Sequence, residues 1–201
     1  MRETVDCYIE ISNPERCALY DTVTFEGPPN GPPKMEQVLW PAHCVQESWG
    51  AELHADLKVH PKGKVIHKGI NPDVDSYSAF FDNAKLGKTC LEELIRDEAV
   101  TDVYVCGIAT DVCVASTAFH AQELGFRTVL VEDCSRGIDL TNISNCFDKI
   151  RSELGCVVQS SEVKALVQGH DRRPALGLVL ARQCRDRLDY PRTSQDRQNN
   201  N

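Results

Sequence analysis

The sequence predicts an α/β domain of the three-layer α/β/α kind, with a mostly parallel sheet. Three observations carry this. From about Gly63 onward, short apolar and β-branched runs alternate with segments of helical spacing. Two of the helical segments stop at glycines, Gly125 and Gly155. The chain of 201 residues is long enough for one domain with a sizeable core. Strands that alternate with helices of this length form βαβ units and a parallel sheet covered on both faces.

The elements follow in order. Lys64–Lys68 reads as a strand, and Thr89–Ala99 as a helix with Leu91, Leu94 and Ile95 on one face. Asp102–Gly107 is the next strand and Asp111–Leu124 the next helix. Arg127–Val131 is a strand, Thr141–Leu154 a helix, Cys156–Gln159 a strand and Ser161–Gln168 a short helix. Ala175–Leu188 has helical character, and Tyr190–Asn201 is polar, lacks periodicity and reads as disordered. The first 60 residues differ. Gly27–Pro33 (GPPNGPP) is a loop that excludes helix and central strand. The expected organisation is an irregular segment over 1–19, one domain over 20–188 and a disordered tail over 189–201.

Composition excludes several classes. The net charge of −8 argues against a nucleic-acid surface, which needs clustered Lys and Arg. No run approaches the ~18 apolar residues of a membrane span, and Met1–Cys7 lacks the apolar core of a signal peptide. Ten cysteines without a C-x-x-C pair, several within apolar strand or helix patterns, suggest free thiols in a reducing, cytoplasmic setting.

The chemistry concentrates at Val103-Tyr-Val-Cys-Gly107 followed by Ile-Ala-Thr-Asp-Val-Cys113. A strand ends at a glycine, the chain turns, and Cys113 falls in the first turn of a helix. Backbone N–H groups are unpaired there, and thiols at helix N-termini ionise more readily than free ones. A buried structural cysteine is the plainer alternative. Chemistry in parallel sheets gathers at the carboxyl ends of strands, where Lys68 is also expected. A solvated strand-end lysine is the plainer reading of Lys68.

Four stretches in order resemble the nicotinamidases of the isochorismatase-like cysteine hydrolases, the eukaryotic type above all. They are Leu39-Trp-Pro-Ala-His-Cys-Val-Gln46, Gly50–His54, Lys68-Gly69 with Asp75-Ser-Tyr-Ser-Ala-Phe80, and Gly107–Cys113. Glu132–Gly137 and His170–Pro174 also fit. The resemblance implies that nicotinamide is hydrolysed to nicotinate and ammonia through a cysteine thioester, in NAD salvage. It implies Cys113 as nucleophile with Lys68 beside it. It also implies a cis peptide at Ile108–Ala109, with the N–H groups of Ala109 and Cys113 as the oxyanion hole. His43 matches the family's metal histidine, for a divalent ion of the zinc kind that binds the pyridine nitrogen. Trp40 and Tyr77 match aromatics around the ring, although either residue type serves equally well in core packing. Related hydrolases act on isochorismate or carbamoyl amides, and Trp40-Pro-x-His43 favours a pyridine amide. The family is commonly oligomeric.

The sequence also departs from the family. The resemblance runs from about Tyr20 to about residue 185. The family's Asp-x-Gln-x-Asp-Phe type motif, whose first Asp is the general base, does not occur. Nor does its Asp-x-His metal motif. Asp6 and Asp21 do not close an apolar strand and are not assigned the base role. The expectations are a sheet without its first strand, one metal ligand in place of three, and little or no amidase activity from these 201 residues alone. The alternative is a non-catalytic relative that binds or assembles.

Overall fold

The structure, a computed structural model, describes residues 10–11, 17–26 and 34–170. Among the described residues, six strands form two three-stranded sheets. The first is antiparallel: β1 (Glu10–Ile11), β2 (Thr22–Glu26) and β3 (Met35–Val38). The second is parallel, in the order β4 (Asp102–Ile108), β5 (Arg127–Arg136), β6 (Cys156–Val158). Four helices accompany them: α1 (Leu91–Asp97), α2 (Ala115–Glu123), α3 (Leu140–Ser152) and α4 (Ser160–Val167).

The parallel sheet follows from the run Thr128-Val-Leu-Val131. Neighbouring residues on a strand point to opposite faces, and all four of these are buried. Both faces of β5 are therefore covered, as a parallel sheet requires. Val105, Leu130, Val114, Ala118 and Ile150 form one core cluster that joins β4 and β5 to α2 and α3. Phe80, Ala121 and Phe126 form a second, on which Leu91 and Ile95 of α1 pack.

The four described helices end alike. The residue after each C-cap is left-handed: Ala99 (φ 52), Gly125 (φ 85), Leu154 (φ 68) and Gly169 (φ 78). In each case the next N–H reaches back five residues, as Val100 does to the Ile95 carbonyl and Phe126 to that of Ala121. This is the Schellman closure, which satisfies the last carbonyls of a helix. Gly155 therefore does not supply the unusual dihedral of α3; Leu154 does. Gly155 supplies room, because a Cβ there would meet Ile150 Cγ2 at 2.6 Å and Gln122 Nε2 at 2.7 Å.

The structure corrects the sequence reading at four places. Lys64–Lys68 is not a strand: among the described residues no neighbour pairs with it, and an isolated extended run gains no ladder. The helix expected from Asp111 begins with a π-type turn over Thr110–Val114, and regular α-helix starts at Ala115. Strand β5 continues past Val131 to Arg136. Its register jumps from Val105↔Leu130 to Gly107↔Ser135, so residues 132–134 bulge out. The antiparallel strands β2 and β3 were not read at all. Gly27–Pro33, Ala175–Leu188 and Tyr190–Asn201 lie outside the described residues.

The bulge has a use. Ser135 Oγ donates to the Val131 carbonyl at 2.7 Å and closes it. Asp133 then accepts both the N–H and the hydroxyl of Ser160, at 2.7 and 2.6 Å, and so fixes the start of α4. Those bonds hold the Asp133 carboxyl below the usual carboxylate range.

Two stability outcomes follow from this architecture. Ala99 is exposed and left-handed, a conformation that costs an L-residue roughly 1–2 kcal/mol. Ala99→Gly is expected to stabilise by about 1 kcal/mol after the added freedom of the unfolded chain is deducted, read by chemical denaturation. His120 on α2 has a buried Nδ1 with no hydrogen-bond partner among the described residues. Burial lowers its pKa below the ordinary 6.5; nearby Lys85 adds to the shift and Glu123 opposes it. The unfolded chain then binds the extra proton first, so this contribution is complete above about pH 6.5 and is lost as pH falls. Melting temperature should drop between pH 7 and 5, and His120→Gln should flatten that slope.

Candidate active site

Strand β4 ends in a sequence built to turn. Gly107 has φ 122, in the region that favours glycine, and a Cβ there would touch nothing within 4 Å. The glycine thus serves backbone direction, not space. The Ile108–Ala109 peptide that follows is cis. The Ala109 carbonyl accepts the N–H groups of Val112 at 3.1 Å and Val114 at 3.0 Å, on either side of Cys113. The turn is anchored laterally by Asp111. Its carboxylate takes the N–H groups of Ile138 and Asp139, both at 3.0 Å. Gly137 lies against the same carboxylate, where a Cβ would meet Asp111 Oδ1 at 2.6 Å.

Lys68 comes to this turn from a long irregular stretch. Its Nζ donates to the Ser76 carbonyl at 2.5 Å and stands 3.5 Å from Cys113 Sγ. Forty-five residues separate the two side chains in sequence. Cys113 is partly exposed, so neither the sulfur nor the ammonium is sealed in the interior.

The residues that hold Ser76 were not singled out from the sequence. Residues 74, 76, 78, 80 and 82 are buried in alternation, which is strand-like, but apart from one bridge between Phe81 and Lys88 no ladder pairs them. Side chains replace the ladder. Ser76 Oγ bonds the Ser78 and Phe81 carbonyls, Ser78 Oγ accepts the Phe80 N–H, and Asp82 takes the N–H groups of Ala84, Leu86 and Gly87. The Ala79 peptide is gripped at both ends: its N–H donates to Thr117 Oγ1 at 3.0 Å, and its carbonyl accepts from Thr89 Oγ1 at 2.6 Å.

Trp40 and Tyr77 meet. Trp40 Nε1 donates to the Tyr77 hydroxyl at 2.9 Å, with the rings edge-to-face at 6.4 Å. Tyr20 extends the aromatic row, 6.0 Å from Trp40. Buried Gln37 on β3 fastens this group to the loop. Its Nε2 donates to Asp75 Oδ2 at 2.7 Å and to the Tyr77 hydroxyl at 2.6 Å, and its Oε1 accepts from Asn83. Burial raises the Tyr77 pKa above its ordinary value, the Trp40 hydrogen bond opposes that, and the Asp75 charge adds to it. The phenol stays neutral near pH 7.

His43 stands apart. It is exposed, and its Nδ1 lies 2.6 Å from the Pro41 carbonyl. That contact suits a tautomer with Nε2 free to ligate. A metal site needs more than one donor, and no group of three His, Cys, Asp or Glu side chains among the described residues could hold an ion. The donor set does not fit a metal. Cys44, Cys90, Cys106, Cys134, Cys146 and Cys156 are free thiols. Burial raises the Cys106 thiol, with a smaller push from Cys134.

Comparison with known proteins places this geometry in context. The isochorismatase domain family matches residues 19–163. A nicotinamidase of Escherichia coli is 45% identical over 106 residues, which cover 53% of this chain and 50% of the relative. The chain spans about half the length of that relative and of a nicotinamidase from Acinetobacter baylyi. Among solved structures, the yeast nicotinamidase bound to the inhibitor nicotinaldehyde is similar with a TM-score of 0.63 at 29% identity, over 75% of this chain and 72% of that one. A pyrazinamidase of Pyrococcus horikoshii in complex with zinc is similar with a TM-score of 0.53 at 32% identity, over 60% and 63%.

Gln37 is the test of the aromatic group. Gln37→Ala leaves Asp75, Tyr77 and Asn83 without their shared partner. It is expected to destabilise by about 1 kcal/mol in urea unfolding, the net worth of hydrogen bonds whose partners Asp75 and Asn83 are themselves exposed.

Proposed function

This chain belongs to the isochorismatase domain family, and from that premise we propose that it hydrolyses nicotinamide to nicotinate and ammonia through a thioester on Cys113. The observation that carries the reading is the 3.5 Å approach of Lys68 Nζ to Cys113 Sγ at the carboxyl end of β4. The likeness to nicotinamidases supports the choice of amide. A binding protein without chemistry has no use for a lysine brought to a thiol, which weighs against the non-catalytic reading.

An amide is a poor electrophile with a poor leaving group. The sulfur, as thiolate, adds to the carbonyl carbon, and the carbonyl electrons move to oxygen. The N–H groups of Ala109 and Cys113 are the donors proposed for that oxyanion. Collapse breaks the C–N bond, and the nitrogen takes up a proton and departs as ammonia. Water then adds to the thioester, the C–S bond breaks, and the thiol is restored. Lys68 faces the sulfur in both of its anionic stages and offers an ammonium proton at the site. Trp40 and Tyr77 are proposed to flank the ring. Among the described residues His43 is the donor that matches the family's metal histidine, and one donor does not hold an ion.

The carboxylates beside the site are engaged. Both oxygens of Asp111 accept backbone N–H groups, and those of Asp75 accept from Ser76 N–H and Gln37. Among the described residues neither carboxylate is hydrogen-bonded to the Cys113 thiol, and loss of general-base help costs about 10²–10⁴ in rate. Slow release of ammonia is therefore expected. It should vanish in Cys113→Ala and fall at least about tenfold in Lys68→Ala. Nicotinaldehyde tests the same site without turnover, because addition of the sulfur to an aldehyde needs no leaving group. It should protect Cys113 from iodoacetamide, read by peptide mass. Ammonia release that survives Cys113→Ala, or a Cys113 that nicotinaldehyde leaves unprotected, would refute the proposal.

A further inference from the structure

We propose that Thr117 is a positioning residue that sets the approach of Lys68 to Cys113. The inference rests on the reading of those two side chains as the reacting pair.

Thr117 Oγ1 makes two bonds. It donates to the Cys113 carbonyl at 2.7 Å and accepts the Ala79 N–H at 3.0 Å. A hydroxyl has one proton and two lone pairs, so both bonds form together. The first, to the residue four before, is what a threonine in a helix commonly makes, and alone it would mean little. The second is specific to this fold, because it links the nucleophile's helix to the loop thirty-eight residues earlier. From Ala79 the loop runs back three residues to Ser76, whose carbonyl holds Lys68 Nζ; Lys68 in turn faces Cys113 Sγ. The path therefore closes on itself: Cys113 carbonyl, Thr117, Ala79, Ser76, Lys68, Cys113 sulfur. Thr117 is the joint between its two halves. Thr89, which holds the other side of the Ala79 peptide, keeps the loop from collapsing but touches nothing on the nucleophile's turn.

The consequence is a geometric one. A lysine has four rotatable side-chain bonds and loses about 1.5–2 kcal/mol of rotamer freedom when fixed. Its head stays near the sulfur only if its acceptor stays in place. With the Thr117 hydroxyl removed, no other hydrogen bond among the described residues ties the Ser76–Ala79 segment to the nucleophile's helix, and the ammonium drifts from the sulfur.

The test measures alkylation of Cys113 by iodoacetamide across pH in this full chain. Peptide mass mapping resolves Cys113 from the other exposed thiols. Thr117→Val keeps the volume and loses both bonds; Thr117→Ser keeps both. In Thr117→Val the rate at pH 7 is expected to fall about tenfold while converging with wild type at high pH, where any thiol is ionised. Thr117→Ser should follow wild type throughout. In a Lys68→Ala background, Thr117→Val should add nothing. A Thr117→Val chain that alkylates like wild type, slows equally at every pH, or slows equally without Lys68 overturns the proposal. So does one that loses its cooperative thermal transition, since the hydroxyl is then structural. A chain that shows the Lys68-dependent pattern but releases no ammonia refutes the amidase reading and leaves the role of Thr117 standing.

Discussion

Buried backbone must find hydrogen-bond partners, and residues 74–83 meet that requirement largely with side chains, with a few backbone bonds such as that of Asn83 N–H to the Asp75 carbonyl, and without a neighbouring strand ladder. Val74, Ser76, Ser78, Phe80 and Asp82 all face inward. An extended segment so buried would ordinarily be a strand in a sheet. Here Ser76, Ser78, Asp82, Thr89, Thr117 and Asn83 supply the bonds. Everything that places Lys68 depends on this arrangement, because the lysine head is held by a carbonyl of that segment.

Two supports of different stiffness therefore meet at Cys113. On one side stand the sheet and the core cluster of Val105, Leu130, Ala118 and Ile150, which fix the end of β4 and the start of α2. Packing of this kind is dense and leaves little freedom. On the other side is a stretch from Pro41 to Asp73 with no helix or strand beyond one short turn, almost all of it exposed. Lys68 belongs to this second region and is drawn to the first through the loop. Segments with few buried contacts open more easily than core elements. The nucleophile's turn is the more rigid half of the pair, and the cation is the half whose position has to be maintained.

The sequence made the rigid half legible. Val103–Val105 and Thr128–Val131 are apolar and β-branched, and such runs announce buried strands whatever else the chain does. Helix ends were visible too, because Gly125 closes α2 in the way its residue type suggests. Leu154 and Ala99 take the same left-handed role without the residue type that signals it. The irregular half was opaque. Its serines face inward and its tyrosine is tied to Trp40, so hydrophobic alternation is absent although the burial alternates. Lys68 was expected at the same sheet edge as Cys113 from a strand the structure does not contain, and only resemblance paired the two side chains. Thr117 carried no signal, since nothing in a helix marks which hydroxyl reaches another loop. Gln37 looked like an ordinary polar residue, and its place on an unread strand hid its burial.

The charges at the site also fit the proposed chemistry. Asp75 and Asp111 are the acids nearest in sequence to the site residues, and each has its oxygens filled by N–H donors. A carboxylate that holds N–H groups on both oxygens serves as a brace for the chain around it. The Tyr77 phenol, pushed up by burial, remains uncharged and does not compete. That leaves Lys68 as the formal charge in contact with the sulfur. A cation paired with a thiol suits a reaction in which negative charge appears first on sulfur and then on the carbonyl oxygen. It suits the departure of ammonia as well, because an ammonium can give a proton to a leaving nitrogen. On the proposed reading, the two acids shape the site and the lysine handles its charge.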